Sequence, residues 1–245
     1  MDLLVLATFI VALLSSILSG MSGGGGGFVM TPFFLLIGLT PQQIAANASV
    51  AGLGLGTSSL LAMRGQQLLK TKFLWPLAAL TFVATVAAML ALPKVHGDAF
   101  EVVIGFLLIA LAPTLFIKKA RFQPGERSRR SVWLGYASYA AILFASSLGS
   151  GVATLLFLPM MFLMGMSALQ ASAIRRVLMV ANALIAFCFV LPQGFIIWSF
   201  ALASLVGCYI GGYIGTKIAL RKGDQFVKYA LATVMISSGI VLLAQ

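Results

Sequence analysis

Ser22-Gly23-Gly24-Gly25-Gly26-Gly27-Phe28-Val29-Met30-Thr31-Pro32 places five glycines in a row between two apolar segments, residues 3–18 and 28–39. Each glycine costs about 1 kcal/mol against alanine inside a helix, so the run predicts a break in helical structure. A flexible glycine linker ordinarily lies among polar residues in water. This one lies in a region with no charge after Asp2, between segments that read as membrane helices. Bare backbone is tolerated at membrane depth only where protein buries it or where it lines a cavity. The stretch is therefore the leading candidate for a site.

The rest of the chain supports that reading. Of 245 residues, 61% are hydrophobic and 9% charged, against about 25% charged in a soluble domain. Uncharged apolar runs recur at 3–19, 44–63, 73–92, 102–117, 132–148, 177–191, 196–216 and 229–244. Runs near this length cross a hydrocarbon core of about 30 Å as helices, which predicts an all-α polytopic membrane protein. Long apolar runs in place of dyad alternation argue against a β-barrel. Asp2 stands where a secretory signal would carry basic residues, so 3–19 is read as a membrane helix.

The formal charge of +11 would suggest nucleic acid in a soluble chain. Here the Lys and Arg residues cluster in short loops, the pattern of the positive-inside bias, and no nucleic-acid partner is expected. Cys188 and Cys208 lie in apolar helices and read as buried small residues, without metal or redox spacing. His96, in the 93–98 loop, reads as solvated.

An internal repeat organises the chain. Shifting it by 127 residues aligns Pro32 with Pro159, Gly38 with Gly165, Thr40 with Ser167, Gln43 with Gln170 and Ala46 with Ala173. The glycine run then falls on Ser147-Leu148-Gly149-Ser150-Gly151-Val152. Residues 1–117 form repeat one and 132–245 repeat two, joined by a basic connector, 118–131, within a single transmembrane domain spanning 1–245. The connector stretch 118–130 holds six basic residues and one acid. It marks the cytoplasm, with anionic headgroup binding as a secondary role.

Charge also sets the relation between the halves. Arg64, Lys70 and Lys72 place the 64–72 loop inside, whereas its counterpart, 192–195, is uncharged. Lys217, Arg221, Lys222 and Lys228 cluster where the first half has its outer loop. Opposite bias in corresponding loops predicts two inverted-topology repeats, an arrangement found in secondary transporters with the substrate site at the repeat interface. The segments after each glycine motif, 28–39 and 152–164, are short; about twelve residues rise about 18 Å as helix. The expectation is about eight full transmembrane helices plus two short or re-entrant ones, with a plain ten-helix count also compatible.

Three elements could carry function. Gly24, Gly25, Gly26 and Gly27 open a short helix, where backbone N–H groups and the helix dipole together form an anion site without a charged side chain. The alternative is close helix packing, which would need glycine at every fourth position. Ser150 and Gly151 are the second-half counterpart. Ser22, Thr31 and Thr154 offer nearby hydroxyls. Next come the helix starts after each short segment, with Asn47 and Ser49 in one half and Arg175 and Arg176 in the other. The arginines either snorkel to the surface or clamp an anionic substrate. Finally, Gly207, Gly211 and Gly215 share a helix face as a small-xxx-small series, which predicts packing.

All five acids, Asp2, Asp98, Glu101, Glu126 and Asp224, fall in loops or at helix ends. A buried carboxylate relay has no residues to build it. No catalytic constellation, metal-ligand cluster or cofactor motif is evident, so no enzyme, metal or cofactor is expected, and an anion suits the balance better than a cation.

The glycine-rich first motif with Pro32, the following Ala45-Ala46-Asn47-Ala48-Ser49, the basic central loop and the weaker Gly149/Gly151…Pro159 copy resemble the TauE/SafE family. This is the sulfite exporter or toluene sulfonate uptake permease family, and the likeness covers essentially the whole chain. The resemblance implies a transporter of sulfite, organosulfonates or related small sulfur-containing anions in the bacterial cytoplasmic membrane. By position, its glycine motif falls on Gly23 to Gly27 and Pro32, and its repeat copy on Gly149, Gly151 and Pro159. Ser150 and Val152 break the second glycine run, so unequal contributions from the halves are expected. The sequence-based expectation is an alternating-access transporter of a small anion within the lipid bilayer, with a homodimer left open. The rivals are an anion channel on the same repeat and a non-transporting membrane scaffold.

Overall fold

A computed structural model describes residues 2–23, 27–64, 73–91, 128–147 and 155–243. Their regular structure is helical: α1 (Asp2–Ser22), α2 (Gly27–Leu36), α3 (Pro41–Ala62), α4 (Leu74–Ala91), α5 (Arg129–Ala145), α6 (Ala168–Val190) and α7 (Trp198–Leu243). A π-helical turn, Pro159–Leu163, precedes α6, and a 3-10 turn, Leu191–Gln193, follows it. Gly223, at φ 81° and ψ −171°, divides α7 into two helices. Five stretches, Leu3–Ser22, Pro41–Ala62, Leu74–Ala91, Ala168–Gln193 and Trp198–Gly223, are long and apolar enough to cross a membrane. The expected span 102–117, the loops 65–72 and 93–98 with His96, and most of the connector lie outside the described residues.

Local chemistry explains where the two central helices begin. Thr40 accepts from the Gln43 backbone at 3.3 Å while the Gln43 side chain accepts from Thr40 N–H at 3.0 Å, a reciprocal capping box at the start of α3. Ser167 and Gln170 repeat it at the start of α6. Gly38 (φ 84°) and Gly165 (φ 74°) supply the left-handed turns just before them. The two prolines diverge. Pro32 sits within regular α2, whereas Pro159 opens the π turn, in which Met164 N–H reaches back to the Pro159 carbonyl at 3.0 Å.

Side-chain contacts fix the helix directions. α1 and α7 run parallel, since added Cβ atoms at Gly207, Gly211 and Gly215 would meet Phe9, Leu13 and Ile17 backbone in turn. The small-xxx-small face thus packs helix backbone on helix backbone, as expected. α3 also parallels α7: Gly54 abuts Leu205, and Thr216 donates to Ser59 at 3.0 Å. α3 and α6 are antiparallel, with Gly52 against Ala183 and Gly56 against Val180. The end of α4 (Ala88, Met89) joins the start of α3 (Ala45, Ala46) and the end of α6 (Ala186, Val190) in one apolar cluster. Tyr139 pairs with Thr81 at 3.0 Å, and Ser147 and Thr85 meet further along at Asn182. Helices α1, α3 and the first part of α7 therefore run one way, and α4, α5 and α6 the other.

These directions put the exposed basic residues Arg64, Arg129, Arg130, Lys217, Arg221 and Lys222 at one end of the helix array. Trp75 and Trp133, both exposed, lie near that end, and Trp198 lies at the other. Tryptophans at both ends of an apolar array match the aromatic belts of a membrane protein. One smaller expectation is corrected. Cys208 is buried, but Cys188 is exposed, because it lies on the face of α6 opposite the packed stripe.

Candidate functional site

A cavity of about 200 Å³ lies between the two sets of helices. Its α6 wall is the stripe Arg175, Leu178, Met179, Asn182, Ala183 and Ala186, the i, i+3, i+4, i+7 spacing of one helix face. Facing it, α3 contributes Ala48, Ala51, Gly52 and Leu55. These are the residues 127 positions before Arg175, Leu178, Met179 and Asn182. Positions 127 residues apart in the chain therefore line one space, but with different chemistry. The first half supplies small apolar surface; the second supplies the cation and the amide.

Arg175 is 5% exposed and lies on the cavity wall. Its Nη1 donates to the Gly23 carbonyl at 3.0 Å, and its guanidinium sits 5.5 Å from the centroid of the Phe157 ring. Gly23 has φ 81°, and a Cβ there would strike Ser172 and Phe157. Only glycine lets the chain leave α1 at this point with its carbonyl turned to Arg175. Arg176, 3% exposed, points elsewhere: it donates to the Gly20 carbonyl, Thr216 Oγ1 and Ser172 Oγ. Helix α1 leaves its last carbonyls without intrahelical partners and carries the negative end of its dipole there. The two arginines answer that end, so neither snorkels to the surface.

The remaining sequence-predicted residues divide. Gly27 and Ser49 line the cavity together with Arg175. Arg176 and Asn47 do not appear in its wall. Asn47 is fully buried; its Nδ2 donates to the Gln43 carbonyl at 2.7 Å, and its Oδ1 has no partner among the described residues. Gly24, Gly25, Gly26, Ser150 and Gly151 lie outside the described residues.

Two wall residues escape the sequence reading. Asn182 Oδ1 accepts from Thr85 Oγ1 at 2.5 Å and from Ser147 Oγ at 3.1 Å. Tyr139 also lines the cavity, with its hydroxyl paired to Thr81. Asn182 has a usable signal, as the lone amide of the apolar run 177–191. The wall serines Ser15, Ser49 and Ser146 donate to carbonyls of their own helices. Among the described residues, Arg175 is the one formal charge in the wall, and no Asp or Glu lines it. No group of three or more His, Cys, Asp or Glu comes together among them either.

Residues 8–242 match the family described as Sulfite exporter TauE/SafE. The chain belongs to the TauE/SafE family. Curated relatives agree over nearly the full length. A protein of Sinorhizobium sp named "Probable membrane transporter protein ORF9" is 29% identical, over 98% of this chain and 91% of its own. A "Probable membrane transporter protein" of Haemophilus influenzae is 21% identical, over 90% and 87%. "Probable membrane transporter protein YfcA" of Escherichia coli K12 is 22% identical, over 90% and 82%. With its five candidate spans, this TauE/SafE chain is a multi-pass membrane protein of a transporter family.

Proposed function

We propose that this protein carries a small sulfur-containing anion, such as sulfite or an organosulfonate, across the bacterial cytoplasmic membrane by alternating access. The observation that carries the reading is the charge of the cavity wall: one buried arginine and no carboxylate among the described residues. A buried cation in a low-dielectric, mostly apolar space attracts an anion strongly and repels a cation. The start of α2 at Gly27 adds the positive end of a helix dipole. In this reading the amides of Gly24–Gly27 and the segment at Ser150 and Gly151 complete the anion's shell. Ser49 contributes from α3, while Asn47 and Arg176 act from behind the wall.

Alternating access rests on the pairing of the halves. The helices related by the 127-residue shift, α1 with α5 and α3 with α6, run in opposite directions, and so do α4 and the first part of α7. Opposed equivalents around a shared cavity support two inverted repeats that rock about the site. The concentration of exposed Lys and Arg at one end orients that end to the cytoplasm.

The test is a thermal-shift panel on the purified protein with sulfite, thiosulfate, ethanesulfonate, sulfate and chloride. A bound ligand stabilises the native state by mass action, by about 2.7 kcal/mol at a hundredfold excess over Kd, and so raises the melting temperature. A concentration-dependent shift with sulfite or sulfonate, absent with choline as cation control, is the expected result. No shift with any anion refutes the reading.

A further inference from the structure

We infer that Arg176 is a gate residue: it ties α6 to α1 and α7 on the basic, cytoplasmic side of the cavity, and its release opens the carrier inward. The inference rests on the alternating-access reading given above and deepens it.

Three observations carry it. First, the cavity lies off-centre along its helices. Its wall begins on α6 at Arg175 and ends on α3 at Leu55. Each is seven residues from the basic end of its helix, at Ala168 and Ala62, a length of about 10.5 Å. Towards the other end only three or four residues remain beyond the wall residues Ile44 and Ala186, about 5–6 Å. The thicker barrier therefore stands on the basic side.

Secondly, that barrier holds a polar junction of four helices. A helical side chain leans back toward the start of its helix, and Arg176 does so. It bonds Ser172 Oγ one turn earlier on α6, the Gly20 carbonyl of α1 and Thr216 Oγ1 of α7. Thr216 in turn donates to Ser59 Oγ of α3 at 3.0 Å. One side chain thus joins the second half of the chain to the end of α1, where Gly20 lies against the α7 backbone too closely for a Cβ.

Thirdly, the opposite end is held differently. There α3 and α6 meet through Ala45, Ala46, Ala186 and Val190, which offer dispersion contacts and no side-chain hydrogen bond. Parting small apolar surfaces in a bilayer costs little, because lipid replaces the contacts. Parting the Arg176 junction while it is dry strands a buried charge and its acceptors. Water entering from the cytoplasm takes over those bonds, so the junction is stable closed and able to open wet. Arg176 therefore sets the balance between the two facing states by holding α6 on α1 and α7.

The test reads sidedness and uses no cargo. The chain has two cysteines, so Cys188→Ser leaves Cys208 in the cavity wall as the reporter. A small membrane-impermeant methanethiosulfonate is applied to the cytoplasmic face in inside-out vesicles and to the other face in spheroplasts. The parent should label at least tenfold faster from the outer face. Arg176→Gln should raise the cytoplasmic rate roughly 10- to 100-fold, the range of hydrogen bonds to a charged group, and lower the outer rate. Thr216→Val, which removes one acceptor and keeps Arg176 on Gly20, guards against a misfolded glutamine variant and should move both rates the same way by a smaller factor. Arg176→Lys, which keeps the charge, should restore the parental ratio to within about threefold. A simple loss of packing would raise labelling at both faces together. That result, or an unchanged ratio of the two rates in the variants, overturns the inference and leaves the anion reading intact. A failed anion panel with the sidedness shift present refutes the anion reading and leaves the gate.

Discussion

Replacing Arg175 with glutamine should separate anion binding from folding, and the size of each effect follows from its surroundings. On the binding side, a unit charge about 4 Å from an anion at an effective dielectric near 20 is worth about 4 kcal/mol before desolvation. Net charge-assisted hydrogen bonds come to about 1.5–3 kcal/mol, so Kd for ethanesulfonate should rise roughly 10- to 100-fold. On the stability side, the variant loses the bond to the Gly23 carbonyl and the contact over Phe157, about 1–3 kcal/mol together. Removing a buried charge offsets part of that. Arg175→Gln should therefore fold, with a lowered melting temperature and a much weakened Kd. Arg176→Gln is the counterpart. It orphans the Gly20 carbonyl and loosens α1 from α6 and α7, so it should lower the melting temperature more and leave the Kd of the folded fraction within about threefold. Calorimetric titration with differential scanning fluorimetry reads both quantities. A folded Arg175→Gln protein that binds as tightly as wild type would refute the assignment of Arg175 to the anion.

Two further outcomes follow from the packing. Gly23→Ala forces a side chain into φ 81° and places its Cβ 2.7 Å from the Phe157 ring, which should cost about 1–3 kcal/mol of stability and weaken anion affinity by displacing the Arg175 partners; a stable variant with normal affinity would contradict the geometry. Cys208 lines the cavity and is buried, whereas Cys188 is exposed. In a Cys188→Ser background in proteoliposomes, a small maleimide should label Cys208 slowly and saturating anion should slow it further, whereas unchanged labelling would place the anion elsewhere.

How much of this could be read in the sequence depends on whether the signal is local. Helix starts were legible from aligned positions, Thr40 with Ser167 and Gln43 with Gln170, whereas the capping boxes these pairs form emerged only in the structure. The packing role of Gly207, Gly211 and Gly215 was legible because the fourfold spacing states a helix face. The fates of Arg175 and Arg176 were not. Adjacent residues sit about 100° apart around a helix, and only the tertiary partners decide that one faces the cavity and the other the end of α1. The repeat similarly located α3 and α6 as partners, but not the division of labour between Ala48 and Arg175 or Leu55 and Asn182. Cys188 was misplaced for the same reason. Apolar composition does not distinguish a lipid-facing side from a packed one in a bilayer, where both are hydrophobic.

The most direct measurement is counterflow in proteoliposomes: uptake of radiolabelled ethanesulfonate into vesicles preloaded with the unlabelled anion, wild type against Arg175→Gln. The account predicts saturable uptake that depends on the internal anion and falls at least tenfold in the variant at subsaturating substrate. Uptake that is absent, or that is unsaturable and indifferent to both the internal anion and Arg175, would contradict a carrier built around this cavity.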